Sequence, residues 1–460
     1  MNPVDPIRAT IVCLLFFLLP HPTHAEEPYP PPEVRADQAG ALLSARQVEL
    51  DALAARLLRT PTMQEQLRYV EALYASDAQG KTPVGKATIG RAAQSIATAA
   101  IHYAIGEATR DEGRPFALWT CKAPYRLDAL EAARSGYGIE NPDNVYRNFM
   151  IDGNSRYEIH GKVTPPGPAE QHFELRDGIP GMNALQPEGG QLLAGLRSDR
   201  MQIAGDGTFT ITVDGEPANG RPNHIQLPSR ENFMLIVRDL FTDWSVQNPI
   251  ALEIEQLSPP VSARPHTEES IAARAAEILA KIARFWVDWD NSFVYSAPAN
   301  ALRTPRIRGV GRGMSSGGHF AITDDEALVL TLDALGARSM GVQLTDPWGV
   351  AYEYVHRSSS LNNAQAEANA DGTYTFVIAV RDPGVNNWLD PQGYGAGMMA
   401  VRWQSLPGDP APQRGIRDVR RVKLGELAGN LPQETHYLSA EERAQQRLGR
   451  IADYSRRLTE

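Results

Sequence analysis

Cysteine is scarce: the 460 residues contain only Cys13 and Cys121. Cys13 lies in an apolar N-terminal stretch expected to be removed, so the rest of the chain keeps one thiol and can close no internal disulfide. A chain this long needs none, because roughly two or three ordinary domains bury enough surface to be held by their cores. The lone Cys121 therefore reads as a buried apolar filler rather than a nucleophile. Long hydrophobic runs are also missing, since no stretch after residue 25 approaches the roughly 20 apolar residues of a membrane-spanning helix. Positive charge is in deficit, 45 Lys and Arg against 55 Asp and Glu, a net charge of −10. That balance argues against a nucleic-acid partner, which would want a basic face. No H-E-x-x-H, no C-x-x-C and no Asp-rich calcium loop occurs, so the sequence offers no metal site and implies no cofactor. Gly313-Met314-Ser315-Ser316-Gly317 fits a G-x-S-x-G string, which needs an apolar strand before it and a helix after it to expose its serine. Here Arg306, Arg308 and Arg312 precede it and Gly318-His319 follows, so the segment is expected to be a mobile loop.

Arg8, the apolar residues Ala9 to Leu19 and the small-residue site Thr23-His24-Ala25 read as an export signal covering 1–25, cut after Ala25. The expected location is the periplasm or cell exterior, for a soluble product. Residues 26–114 read as a helical N-terminal segment: a Pro-rich linker, then helices over Val34 to Leu58, Met63 to Tyr74 and Thr88 to Glu107. His102 on the third is expected to be a satisfied core histidine. Residues 115–257 turn to short alternating runs between Gly, Pro, Asn and Asp, the pattern of a sandwich or jelly roll. A linker and connecting helix fill 258–290, with Thr267 as its cap and Ile271, Ala275, Ile278, Ile282 and Phe285 on one face. A second β module is expected over 291–412, and a basic tail with a capped helix over 413–460 whose arginines are expected to be exposed. The fold class expected is α+β, mainly β: a helical front followed by two related antiparallel sandwich modules joined by a long helix.

The two modules are called related because one stretch nearly repeats. DGTFTITV from Asp206 matches DGTYTFVIAV from Asp371; Asn223-His224 and Arg238 then match Asn387-Trp388 and Arg402, with spacings that agree to within one residue. Duplication would set two sheets side by side with a crevice between them, a common place for a ligand.

The strings NPDNVYRNFMIDGNSRYEIHG from Asn141, RDLFTDW ending at Trp244 and SLNNAQAEANADGTYTFVIAVRDPGVNNWLDPQGYGAGMMAVRW from Ser360 resemble the bacterial domain of unknown function 1214 family. The resemblance runs from about Pro142 to the C-terminus. It implies a jelly-roll sandwich in a mostly exported group, and no activity.

Two clusters could carry chemistry. The first joins Asp382 and His356 as acid and base with Arg402, Asn362, Asn387 and Trp388 as binding residues, a combination suited to a polar-headed ligand. The scaffold reading stands beside it: Asp382-Pro383-Gly384 as a turn, Trp388 as core, and Arg402 paired with Asp382 at a corner. The second cluster, Asn144, Tyr146 and Arg147, could form the facing wall of the crevice or an ordinary turn and strand. The function expected is binding of a small organic or sugar-like ligand, with a metal-independent hydrolase or lyase activity as one outcome. A non-catalytic binding or structural envelope protein, possible as a homo-oligomer, is the alternative.

Overall fold

Thr60-Pro61 and Thr82-Pro83 open two helices in the same way. Each threonine hydroxyl accepts an amide of the first turn, and each proline takes a first-turn position, where an amide would have no helical partner. In the computed structural model, which describes residues 29–258, 265–308, 313–408 and 411–460, these are α2 (Pro61–Ser76) and α3 (Pro83–Asp111), after α1 (Ala45–Leu58) capped by Ser44. The expected signal, Arg312 and most of the Ser258-Pro265 linker lie outside the described residues. The first helix starts later than its periodicity suggests. Val34 belongs to a strand, β1 (Glu33–Val34), and residues 36–43 make two tight turns. Ser44 sets the start by capping the Gln47 amide, and Gly40 before it lies against the backbone of Glu460, where a Cβ would sit 2.2 Å from the carbonyl oxygen. β2 (Leu118–Thr120) follows, and β3 (Tyr125–Leu127) and β4 (Leu130–Ala132) form a small sheet with β1.

The first sandwich comprises β5 (Asn144–Asp152), β6 (Tyr157–Lys162), β7 (Glu170–Arg176), β8 (Leu192–Arg197), β9 (Thr208–Asp214), β10 (His224–Gln226), β11 (Asn232–Leu240) and β12 (Ala251–Gln256). They pair as a five-stranded sheet β2-β5-β11-β7-β8 and a four-stranded sheet β10-β9-β6-β12. Phe149, Phe173 and Leu235 from one and Ile159, Phe209 and Ile211 from the other share one core. Next comes α4 (Glu268–Phe293), which has the capping box at Thr267 and Ser270. Its apolar face packs with α1, α2 and α3, so Ile278 and Ile282 join Leu57, Met63 and Ile101 in one helical core.

The second sandwich comprises β13 (Ala301–Leu302), β14 (Arg306–Arg308), β15 (Gly313–Ala321), β16 (Glu326–Asp333), β17 (Ser339–Thr345), β18 (Ser360–Asn362), β19 (Thr373–Ala379), β20 (Trp388–Leu389), β21 (Ala396–Gln404) and, after the short α5 (Pro412–Gly415), β22 (Ile416–Lys423). Its sheets run β13-β15-β21-β17-β18, with β14 also beside β15, and β20-β19-β16-β22. The order copies the first sandwich strand for strand. β9 and β19 hold the same place, each with a short parallel neighbour. β5 and β15, β7 and β17, and β11 and β21 have equal lengths. The protein is thus an α+β fold, a helical front and two related sandwiches.

Two expectations need correction. The G-x-S-x-G segment is strand β15, with Met314, Ser316 and Gly318 turned inward, and not a loop. Its small residues serve close packing: a Cβ on Gly318 would sit 2.0 Å from the Ala301 carbonyl oxygen. The basic tail is not a tail, because β22 completes the second sandwich and the final α6 (Ala440–Thr459) buries Arg443, Arg450 and Arg457. Among the described residues, no helix is long and apolar enough to cross a membrane.

Candidate functional site

Side chains alternate across a strand, so a strand with apolar residues at one parity and polar residues at the other has two different faces. In the five-stranded sheet, Phe149, Phe173 and Leu235 turn to the sandwich core, while Asn144, Tyr146 and Asn148 of β5, His172, Glu174 and Arg176 of β7, and Arg238 of β11 turn the other way. That second face lines a cleft of about 300 Å³. Arg402 of β21 and Ser315 of β15 line it from the second sandwich, with Trp286 of α4 and the 138–140 turn.

The duplication places one arginine from each module here. Arg238 is the seventh residue of β11 and Arg402 the seventh of β21. Arg238 donates to the Glu174 carboxylate, and its guanidinium lies 5.6 Å from the Tyr146 ring centre. Arg402 donates to the side-chain oxygen of Gln343 and to the Ile139 carbonyl, both neutral. Glu174 and Gln343 are each the fifth residue of their strands, so the second module carries an amide where the first carries a charge. Burial pulls the Arg402 guanidinium below its ordinary value; Tyr146 opposes this, and the like charges of Arg308 and Arg238 add to it. For Glu174 burial acts upward, yet Arg238 and Arg176 outweigh it and hold the carboxylate below its usual range.

Several buried polar atoms on this wall have no protein partner: Glu140 Oε2, Asn144 Oδ1, Asn148 Oδ1 and Arg176 Nε. Each belongs to a side chain at most 7% exposed. Burial pushes the Glu140 carboxyl up to about 7 against the pull of Arg134, whose guanidinium is 3.8 Å away. Tyr103 and Tyr137 share a hydroxyl hydrogen bond of 2.7 Å beside Cys121, whose thiol burial pushes up to about 12. A thiol in that state is a poor nucleophile, in keeping with a filler role. The arrangement can hold a small polar molecule against Tyr146 and Trp286 and offer it both donors and acceptors.

Of the residues singled out from sequence, Arg402, Asn144 and Tyr146 meet in the cleft. The rest are placed elsewhere. Arg147 has the opposite parity from Tyr146 and is buried in an ion pair with Asp239. Asp382 accepts the Gly384 amide at 2.8 Å and pairs with Arg443 at 2.9 Å, so the corner arginine is Arg443 and not Arg402. His356 Nδ1 lies 3.4 Å from Glu353. Neither Asp382 nor His356 lines the cleft, which corrects their assignment as its acid and base. Asp382 follows β19, in the sheet on the far side of the sandwich core from Arg402. Trp388 is core, its indole nitrogen donating to the Ala379 carbonyl at 2.9 Å. Asn387 holds the Glu367 and Thr375 backbone. Asn362, fully buried, bridges the modules by donating to Asp143 at 2.8 Å and to the Thr242 carbonyl at 3.0 Å.

Glu140, His172, Glu174, Gln343 and Trp286 escaped the sequence reading. The signal for two of them, His172 and Glu174, was present in Glu170–Arg176, where charged or histidine side chains stand at every second place and Phe173 and Leu175 lie between them. Such a strand has a core face and a polar face that is not at the surface.

No family profile and no curated protein matches the chain. Among solved structures it is similar to an uncharacterized protein from Burkholderia cenocepacia, 23% identical, with a TM-score of 0.63 over 81% of this chain and 99% of that one. The VPA0106 protein from Vibrio parahaemolyticus, 13% identical, covers 71% of this chain and 98% of that one at a TM-score of 0.38, too low to argue from. The first likeness shows that a helical front with sandwich modules is a fold used by another bacterial protein.

Proposed function

We propose that the chain is an exported protein, of the periplasm or cell exterior, that binds a small organic or sugar-like molecule in the cleft between its two sandwiches. The observation that carries the reading is the convergence of partnerless buried polar atoms and one arginine from each module on a cleft of about 300 Å³. That is the size and mixed chemistry of a small-ligand site. Membership of the domain of unknown function 1214 family belongs to the same proposal.

A catalytic reading rests on Glu140, whose carboxyl burial pushes up to about 7 beside the cleft, which suits a general acid or base for hydrolysis or for the elimination of a lyase. One experiment addresses both. The protein and its Trp286→Ala variant are screened for thermal stabilisation by small organic acids, sugars and sugar acids, and each hit is followed by mass analysis for products. A ligand that stabilises the native protein and not the variant supports the cleft; a product supports catalysis. Equal stabilisation of both proteins, or none from the whole panel, would sink the reading.

A further inference from the structure

We propose that the molecule taken by this cleft is a small organic carboxylate, its anion held by Arg402. The inference rests on the reading of the cleft as a ligand site and adds the ligand's chemical class.

Four arginines line the cleft, and among the described residues three have carboxylate partners: Arg176 at 3.0 Å and Arg238 on Glu174, and Arg308 on Glu188 at 2.9 Å. Arg402 has only the two neutral oxygens of Gln343 and Ile139. Arg402 is half-buried, and a guanidinium stays charged when drawn out of water and is costly there without an anion. The duplication shows how this strand pair satisfies such a group internally, with a glutamate at the fifth position of the facing strand. The second module has Gln343 at that position; the Glu140 carboxyl acts on Arg402 through its field, but no ion pair joins them among the described residues, which leaves the guanidinium open to an anion from outside the chain.

The remaining lining narrows the class. A single unpaired planar fork matches one carboxylate in bidentate fashion. A phosphate dianion would meet the Glu140, Glu174 and Glu188 carboxyl groups of the same wall without a second unpaired cation. Trp286, Met234 and Ile236 supply apolar surface for the body of the acid. Asn144 Oδ1 and Asn148 Oδ1, buried and without protein partners, can accept from its hydroxyl groups.

The test uses benzoate and its neutral isostere benzamide at millimolar concentration, read by saturation-transfer NMR and thermal shift on the full chain. Benzoate is expected to bind at least about tenfold more tightly than benzamide, the scale of a charge-assisted bidentate contact. Arg402→Gln should abolish the difference. Gln343→Glu, which brings the first module's carboxylate to Arg402, should abolish it as well while leaving the guanidinium in place. Equal binding of benzoate and benzamide overturns the inference, as does benzoate binding that survives both substitutions. If benzoate fails to bind while a neutral ligand from the screen depends on Trp286, the cleft stands and the carboxylate falls. Benzoate binding that depends on neither Arg402 nor Trp286 removes both.

Discussion

Glu140 is an acid whose folded-state proton affinity exceeds its unfolded one, and that has a sign. Unfolded, it ionises near 4.5; folded, it holds its proton to about 7. Between those values the native state binds more protons than the unfolded state, so this group makes stability fall as pH rises through the window. The expected size is up to roughly 3 kcal/mol. Glu140→Gln should flatten the fall in denaturant-unfolding stability between about pH 4.5 and 7; an unchanged profile would show that the carboxyl ionises freely in the fold. The buried cluster around Asp51 is the opposite case. Burial acts to raise its carboxyl, but Lys122 and His102 outweigh it and hold Asp51 ionised. Lys122 Nζ contacts both carboxylate oxygens, at 2.6 and 2.7 Å, and the Tyr125 hydroxyl and His102 Nε2 bond them at 2.6 and 2.9 Å. His102 as a core residue was readable from its place on an apolar helix, although only its Nε2 finds a partner and Nδ1 is buried without one. That partner was not readable, since 51 residues separate it from Asp51.

The last helix shows what an element can hide. Arg443, Arg450 and Arg457 recur every seven residues, a spacing that keeps them on one face of a helix. By composition that stripe reads as solvated, yet each of the three is at most 7% exposed. The physical reason is that a guanidinium can stack on aromatic rings and still donate to carbonyls. Arg450 lies 4.5 Å and Arg457 4.1 Å from the Trp244 ring centre in the first module. Arg450 also bonds the Tyr354 carbonyl at 2.6 Å and Arg443 pairs with Asp382, both in the second module. α6 is therefore a clamp across both modules. Arg457→Ala should cost about 2–4 kcal/mol in chemical denaturation, through lost packing as well as lost hydrogen bonds. A change under about 0.5 kcal/mol, the usual size for a surface site, would mean the helix is not a clamp.

At the scale of the whole molecule, the modules share polar contacts that neither could satisfy alone. Asp143 accepts both the Trp244 indole at 2.9 Å and Asn362 at 2.8 Å, and Gln343 donates to the Glu140 carbonyl at 2.5 Å. Unfolding is expected to be a single transition, coincident by far-UV circular dichroism and tryptophan fluorescence. Two resolved transitions would show that the sandwiches stand independently. Much of this architecture was open to reading in advance. Caps, turns and alternation located the helices and the two β regions, because they are local consequences of backbone sterics and side-chain parity. The near-repeat announced the duplicated module and paired Arg238 with Arg402. The cleft's lining was open to reading only in part: Arg402, Asn144 and Tyr146 had been singled out and line it, while Asp382 and His356 were grouped with them by closeness in the chain. The sequence alone determined where the helices lie and that a module occurs twice, but not strands β15 and β22, which read as a loop and a tail. Only the tertiary structure decided which loops share a side of a sandwich, because neighbours in the chain can lie on opposite sheets with a layer of core between them.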